Sequence, residues 1–138
     1  MTYIPAPLRR LVRDRALGAC EYCLFPEVMA LVPHEVDHVV AQKHGGATDA
    51  ANLALSCALC NKRKGSDIAS IDPDSAALVA LFHPRREAWR EHFELQGAVI
   101  LPLSPTGRAT ARLLAMNDPA RVEERSLLLA AGMLRLPG

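Results

Sequence analysis

Four cysteines stand in two Cys-x-x-Cys pairs, Cys20-Glu-Tyr-Cys23 and Cys57-Ala-Leu-Cys60, and none is left over. Thiolates at this spacing are ligands for a tetrahedral zinc ion, and two such pairs supply all four without another side chain. The pairs are separated by residues 24–56, more than the roughly 15–20 residues of a common zinc ribbon, so a strand and a loop fit between them. Parity alone also allows two disulfides. The start Met-Thr-Tyr-Ile-Pro has no basic region followed by a long apolar run, so no secretory signal is visible and a reducing cytoplasm is the expected compartment. A cysteine-based redox protein is a further alternative, although such a site needs only one pair.

Between the pairs lie His34-Glu-Val-Asp37-His38, Gly45-Gly46 and Asn52-Leu53, and Asn61 follows the last cysteine directly. Asp37 and Asn61 offer hard oxygen ligands of the kind that bind magnesium or manganese while leaving positions for water and phosphate. His38 beside such an ion has the chemistry of a general base. A lone histidine on a strand is more often structural than catalytic; the ordered set is what carries the reading.

These side chains must be held by a small set of elements. Leu8, Leu11, Val12 and Ala16 fall on one helical face, predicting an N-terminal helix over about 7–17 with Arg9, Arg10, Arg13 and Arg15 outside it and Gly18 as its cap. The valines at 32, 36, 39 and 40 predict a strand ending near Asp37 and His38, and Gly45-Gly46 a loop over 41–51. A short strand over Leu53–Leu55 and a helix from Cys57 to Lys64 follow. Beyond Ser66, the pairs Asp72-Pro73, Ser104-Pro105 and Asp118-Pro119 read as helix starts. A further helix is expected from Pro84, with Trp89 and Phe93 on one face, and a strand over 98–103. With 138 residues, 50% of them hydrophobic and only 4% aromatic, one domain with a Leu-, Val- and Ala-rich core is expected. The net charge of +1 gives no global electrostatic argument for a polyanionic partner. No apolar run reaches the roughly 18 residues that a membrane span needs.

Asp37-His38, Asn52 and Cys60-Asn61-x-x-Lys64, framed by the two Cys-x-x-Cys pairs, closely resemble the HNH endonuclease family. The resemblance spans about residues 18–66 and implies an α+β fold: a zinc-stabilised ββα-metal core with an added N-terminal helix and a mostly helical C-terminal extension over about 67–138. It also implies hydrolysis of nucleic acid, with DNA the expected substrate, leaving a 5′-phosphate and a 3′-hydroxyl. By the same resemblance His38 is the general base, and Asp37 and Asn61 hold one magnesium or manganese ion. Asn52 shapes the loop that positions the histidine, Cys20, Cys23, Cys57 and Cys60 hold structural zinc, and Glu35 has a secondary, metal-linked role. One departure is Ala41, which stands where members often carry proline. Segments around Phe82-His83-Pro84-Arg85, Trp89, His92-Phe93 and Thr106-Gly107-Arg108-Ala109 also resemble extensions of small bacterial HNH proteins.

Lys62 and Lys64 are candidate phosphate contacts, and for Lys64 stabilisation of the helix end is an equal alternative. His44, in the glycine loop, reads first as an exposed residue and second as a site residue; His92 reads as a hydrogen-bonded core histidine. The C-terminal helix with Leu127, Leu128, Leu129, Met133 and Leu134 serves either the core or a homodimer contact. From a different functional class, the alternative is a non-catalytic zinc module that binds nucleic acid or protein.

Overall fold

In the computed structural model, which describes residues 3–137, the cysteine pairs bracket a hairpin. Strand β1 (Glu35–His38) runs antiparallel to β2 (Leu53–Ser56), pairing Val36 with Leu55, Asp37 with Ala54 and His38 with Leu53. Helix α2 (Ala58–Lys64) follows directly, completing a ββα unit. A two-stranded hairpin is marginal in water by itself. Here α1 (Ala6–Arg15) covers one face of it: Val12, Ile4, Val36, Leu53 and Leu55 form a buried cluster, with Leu8 and Ala16 packed against it. Burying each of those large aliphatic side chains contributes about 1.5–3 kcal/mol. Two of the α1 arginines also turn inward: Arg13 pairs with Glu27 at 3.3 Å and bonds the His34 carbonyl at 3.0 Å, and Arg15 bonds the Leu53 carbonyl. Arg9 and Arg10 remain exposed.

The extension departs from the mostly helical expectation, because two hairpins occupy much of it. Asp72-Pro73 does not begin a helix. It closes β3 (Ala69–Ile71) and turns the chain into β4 (Leu78–Ala80). Tertiary structure overrides the local capping signal here: both carboxylate oxygens of Asp72 receive Arg108, at 2.8 and 2.9 Å, and they also accept from Asp74 N–H and the Ser75 hydroxyl. The helix expected from Pro84 shrinks to one turn, α3 (Trp89–His92), and Phe93 opens β5 (Phe93–Gln96), which pairs across Gly97 with β6 (Val99–Pro102). Trp89 and Phe93 still pack together, with ring centroids 5.2 Å apart, so the four-residue spacing was a sound burial signal attached to the wrong element.

Helices α4 (Pro105–Leu113) and α5 (Pro119–Ala130) begin where Ser-Pro and Asp-Pro predict. Ser104 Oγ caps α4 by accepting the Gly107 N–H at 2.9 Å and lies 2.6 Å from His92 Nδ1, while His92 Nε2 lies 2.8 Å from Glu87. Although hydroxyl, imidazole and carboxylate form a chain, the cap occupies the serine, and the three groups pin α3 to α4. Gly107 is required there: a Cβ would lie 2.3 Å from the His92 carbonyl. Thr110 accepts from Phe82 N–H at 2.9 Å, and Asn117 bonds Ile100 N–H and carbonyl at 2.9 and 2.8 Å. Helix α5 buries Leu128 and leaves Leu127 67% exposed, so only one stripe of the leucine run joins the core. No helix among the described residues is long and apolar enough to cross a membrane.

Asp72 is fully buried, and hydrogen bonding from Arg108 holds its carboxyl well below the ordinary carboxylate range. A carboxylate depressed in the folded state stabilises fully above its unfolded value, near pH 4, and loses that contribution as pH falls further. Asp72→Asn is therefore expected to lower the melting temperature at pH 7, and the gap to wild type should narrow below about pH 4. Thermal unfolding measured from pH 3 to 7 checks both the deficit and its direction.

Candidate metal centre and active site

The four cysteine Sγ atoms lie within 4.8 Å of one another, Cys23 and Cys57 being 3.6 Å apart, and all four residues are buried. Thiolates bound about 2.3 Å from a tetrahedral ion sit roughly 3.8 Å apart, so the cluster fits a structural zinc. Within each knuckle the backbone turns back onto sulfur: Cys23 N–H donates to Cys20 Sγ at 3.5 Å and Cys60 N–H to Cys57 Sγ at 3.4 Å. Burial pushes the Cys20 thiol well up, whereas hydrogen bonding with Cys20 draws the Cys23 thiol well down. Negative charge held here has a partner from outside the ββα unit. Arg121, on α5, points its guanidinium at Cys60 Sγ (3.2 Å) and Cys57 Sγ (3.7 Å) and bonds the Leu114 carbonyl at 2.6 Å. Burial works against the charge on Arg121, yet the surrounding cysteines raise its pKa above the ordinary value.

The cluster grips the hairpin through its own spacer residues. Glu21, between the first two ligands, donates its N–H to the Leu55 carbonyl at 2.8 Å and accepts the Leu55 N–H on its carboxylate at 2.8 Å, and Arg85 from the extension binds the same carboxylate. Burial raises the Glu21 carboxyl, with the Leu55 N–H and Arg85 pulling against it. Tyr22, the other spacer, is wholly buried, with Trp89 Nε1 donating to its carbonyl at 2.9 Å. The second knuckle starts α2, since the Cys57 sulfur is its N-terminal cap.

Alternation along β1 sends Val36 toward α1 and Asp37 toward α2. Asp37 is only 10% exposed, and its Oδ2 lies 3.1 Å from Lys64 Nζ. The same ammonium also donates to the His38 carbonyl at 3.3 Å. Burial raises the Asp37 carboxyl above its ordinary value, opposed by Lys64. Asn61 is half-buried one turn before Lys64, on the same stripe of α2. Lys64 itself is 2% exposed, so this position is an internal counter-charge to Asp37 and not a surface phosphate contact; Lys62 is exposed.

The His38 ring turns to the loop, where its Nε2 lies 2.8 Å from Thr48 Oγ1. Asn52 spans that loop, donating to the carbonyls of Val40 and Ala47, each at 2.9 Å, and accepting the Val40 N–H at 2.9 Å. Gly46 allows this closeness, because a Cβ there would fall 1.7 Å from the Val40 carbonyl. Glu35 and His44 are exposed, and neither joins the group around Asp37. His34 is buried with Nε2 2.8 Å from the Phe25 carbonyl. Sequence reasoning missed Glu21, Thr48 and Arg121. For Glu21 the signal was a charged residue inside a knuckle that must be buried; Thr48 and Arg121 carry none in local pattern.

Two outcomes follow for the metal centre. Cys57→Ser is expected to lose zinc and, with it, cooperative unfolding, because ligand binding and folding are one equilibrium in small zinc sites; metal analysis and thermal melts measure both. Arg121→Met keeps a similar stem while removing the charge beside two thiolates, and is expected to accelerate zinc extraction by a chromogenic chelator roughly tenfold or more with the fold retained.

Comparison with known proteins bears on this geometry. The family model described as HNH endonuclease matches residues 20–67, from the first zinc ligand to just past α2. No curated protein and no solved structure matches the chain. The segment over residues 20–67, with its four-cysteine centre, hairpin and helix, is thus similar to HNH endonucleases.

Proposed function

We propose that the protein is a metal-dependent endonuclease that hydrolyses phosphodiester bonds in nucleic acid, with DNA as substrate. The observation that carries the reading is the convergence of β1 and α2 on Asp37, a carboxylate only 10% exposed, next to a stripe that includes Asn61. A carboxylate and an amide oxygen suit magnesium or manganese, and those two residues would hold one such ion. When bound, the ion supplies electrostatic stabilisation to charge developing on the phosphate.

The chain's own groups do the rest. His38 takes a proton from the attacking water; the new P–O bond forms as the bond to the 3′ oxygen breaks, and that oxygen takes a proton from solvent, leaving a 5′-phosphate and a 3′-hydroxyl, while the proton on His38 is returned to solvent. Asn52 keeps the 41–51 loop in shape around that histidine. Lys64 pairs with Asp37, opposing the effect of its burial, and anchors the last carbonyl of β1. Lys62, exposed on the outer side of α2, contributes sequence-independent affinity for phosphate. No element resembles a base-reading helix, so sequence preference is expected to be weak. The alternative of a zinc module that binds without turnover has no need of Asp37, His38 and Asn61 together.

The test is a supercoiled plasmid incubated with purified protein and magnesium or manganese. Wild type should nick or linearise it and stop on addition of chelator. His38→Ala should cleave about a hundredfold or more slowly with zinc content and circular dichroism unchanged. Equal rates for the two proteins would remove His38 from the reaction, and binding with no metal-dependent cleavage by wild type would favour the non-catalytic module.

A further inference from the structure

We propose that Thr48 is a positioning residue for His38, fixing both the ring's orientation and which of its nitrogens carries the proton. The inference rests on the reading of His38 as general base and adds to it the group through which the loop acts. A neutral imidazole has one donor nitrogen and one acceptor nitrogen, and which is which follows from the partner that each finds. Thr48 Oγ1 lies 2.8 Å from Nε2. A threonine hydroxyl both donates and accepts; base catalysis selects the state in which Nε2–H donates to Oγ1, leaving the Nδ1 lone pair for the proton of water.

The frame around Thr48 is what makes it more than a passing contact. On one side, the Ala47 carbonyl is held by Asn52 Nδ2 at 2.9 Å. On the other, Asp49 accepts the Ala51 N–H on its side chain at 3.0 Å, and its carbonyl accepts the Asn52 N–H at 3.0 Å. Asn52 also clasps Val40, two residues after His38, through both N–H and carbonyl at 2.9 Å. The hydroxyl and the histidine are therefore fixed to the same buried amide from opposite directions. Threonine suits the place further because its branched Cβ restricts χ1, so the hydroxyl direction does not wander. Asn52 thus acts on His38 through Thr48, a route that leaves no mark in the sequence beyond one hydroxyl in a glycine loop.

Thr48→Val and Thr48→Ser separate hydroxyl from shape. Single-turnover plasmid cleavage should slow roughly 10- to 100-fold in Thr48→Val with DNA affinity within about twofold of wild type, and Thr48→Ser should recover most of the rate. Nitrogen-15 spectra of the histidine rings should show His38 with Nε2 protonated in wild type and Thr48→Ser, and averaged between tautomers in Thr48→Val. Wild-type cleavage by Thr48→Val, an equal loss of rate and DNA affinity, or unchanged His38 nitrogen shifts would overturn the proposal. If wild type shows no metal-dependent cleavage, the nuclease reading fails, and the ring spectra alone still decide whether Thr48 sets the tautomer of His38.

Discussion

Four buried thiolates within 4.8 Å of one another join the chain at two points on either side of the β1–β2 hairpin, and the candidate catalytic groups depend on that closure. The hairpin has only four residues per strand, too few to stand in water alone. A zinc ion that draws residues 20–23 to residues 57–60 removes much of the freedom of the chain between them. It also sets the start of α2, because the Cys57 sulfur caps that helix. Asn61 follows the last cysteine directly and Lys64 stands one turn beyond it on the same helix, so the four-cysteine centre bears on where Asp37 finds its counter-charge.

The regions outside the matched segment serve as buttresses for that centre. Helix α1 buries the far face of the hairpin through Val12 and reaches the β2 backbone with Arg15. The extension supplies Arg85 to Glu21 and Arg121 to the thiolates, and packs Phe82, Trp89 and Phe93 around the first knuckle. Two cations from distant sequence therefore offset the negative charge that the knuckles bring into the core. Such buried charge is costly unless paired, so the extension and the zinc centre are best regarded as one cooperative unit, with Asp72–Arg108 tying the β3–β4 hairpin to α4.

The ββα core was legible from residue order because its signals are local. Cysteine spacing announces the ligands, β-branched residues the first strand, paired glycines the loop, and the second cysteine pair the helix start. The extension was less legible because its signals compete with distant partners. Asp72-Pro73 has the form of a helix cap, yet Arg108, far along the chain, claims the carboxylate. Trp89 and Phe93 share a buried face at helical spacing even though the second of them opens a strand. Lys64 stands within a run of basic residues, as surface lysines do, and only the packing of α2 on β1 reveals that it is 2% exposed and spent on Asp37. Thr48 and Arg121 act across space on groups that no periodicity links to them.

The proposed reaction needs a second metal ion of different character from the one the thiolates fit, held by the oxygens of Asp37 and Asn61. Anomalous diffraction from crystals of the zinc-loaded protein soaked in manganese tests that division directly. One zinc peak among Cys20, Cys23, Cys57 and Cys60 and a separate manganese peak bonded to Asp37 and Asn61 is the predicted result. Manganese bound elsewhere, with Asp37 still paired only to Lys64, would contradict it.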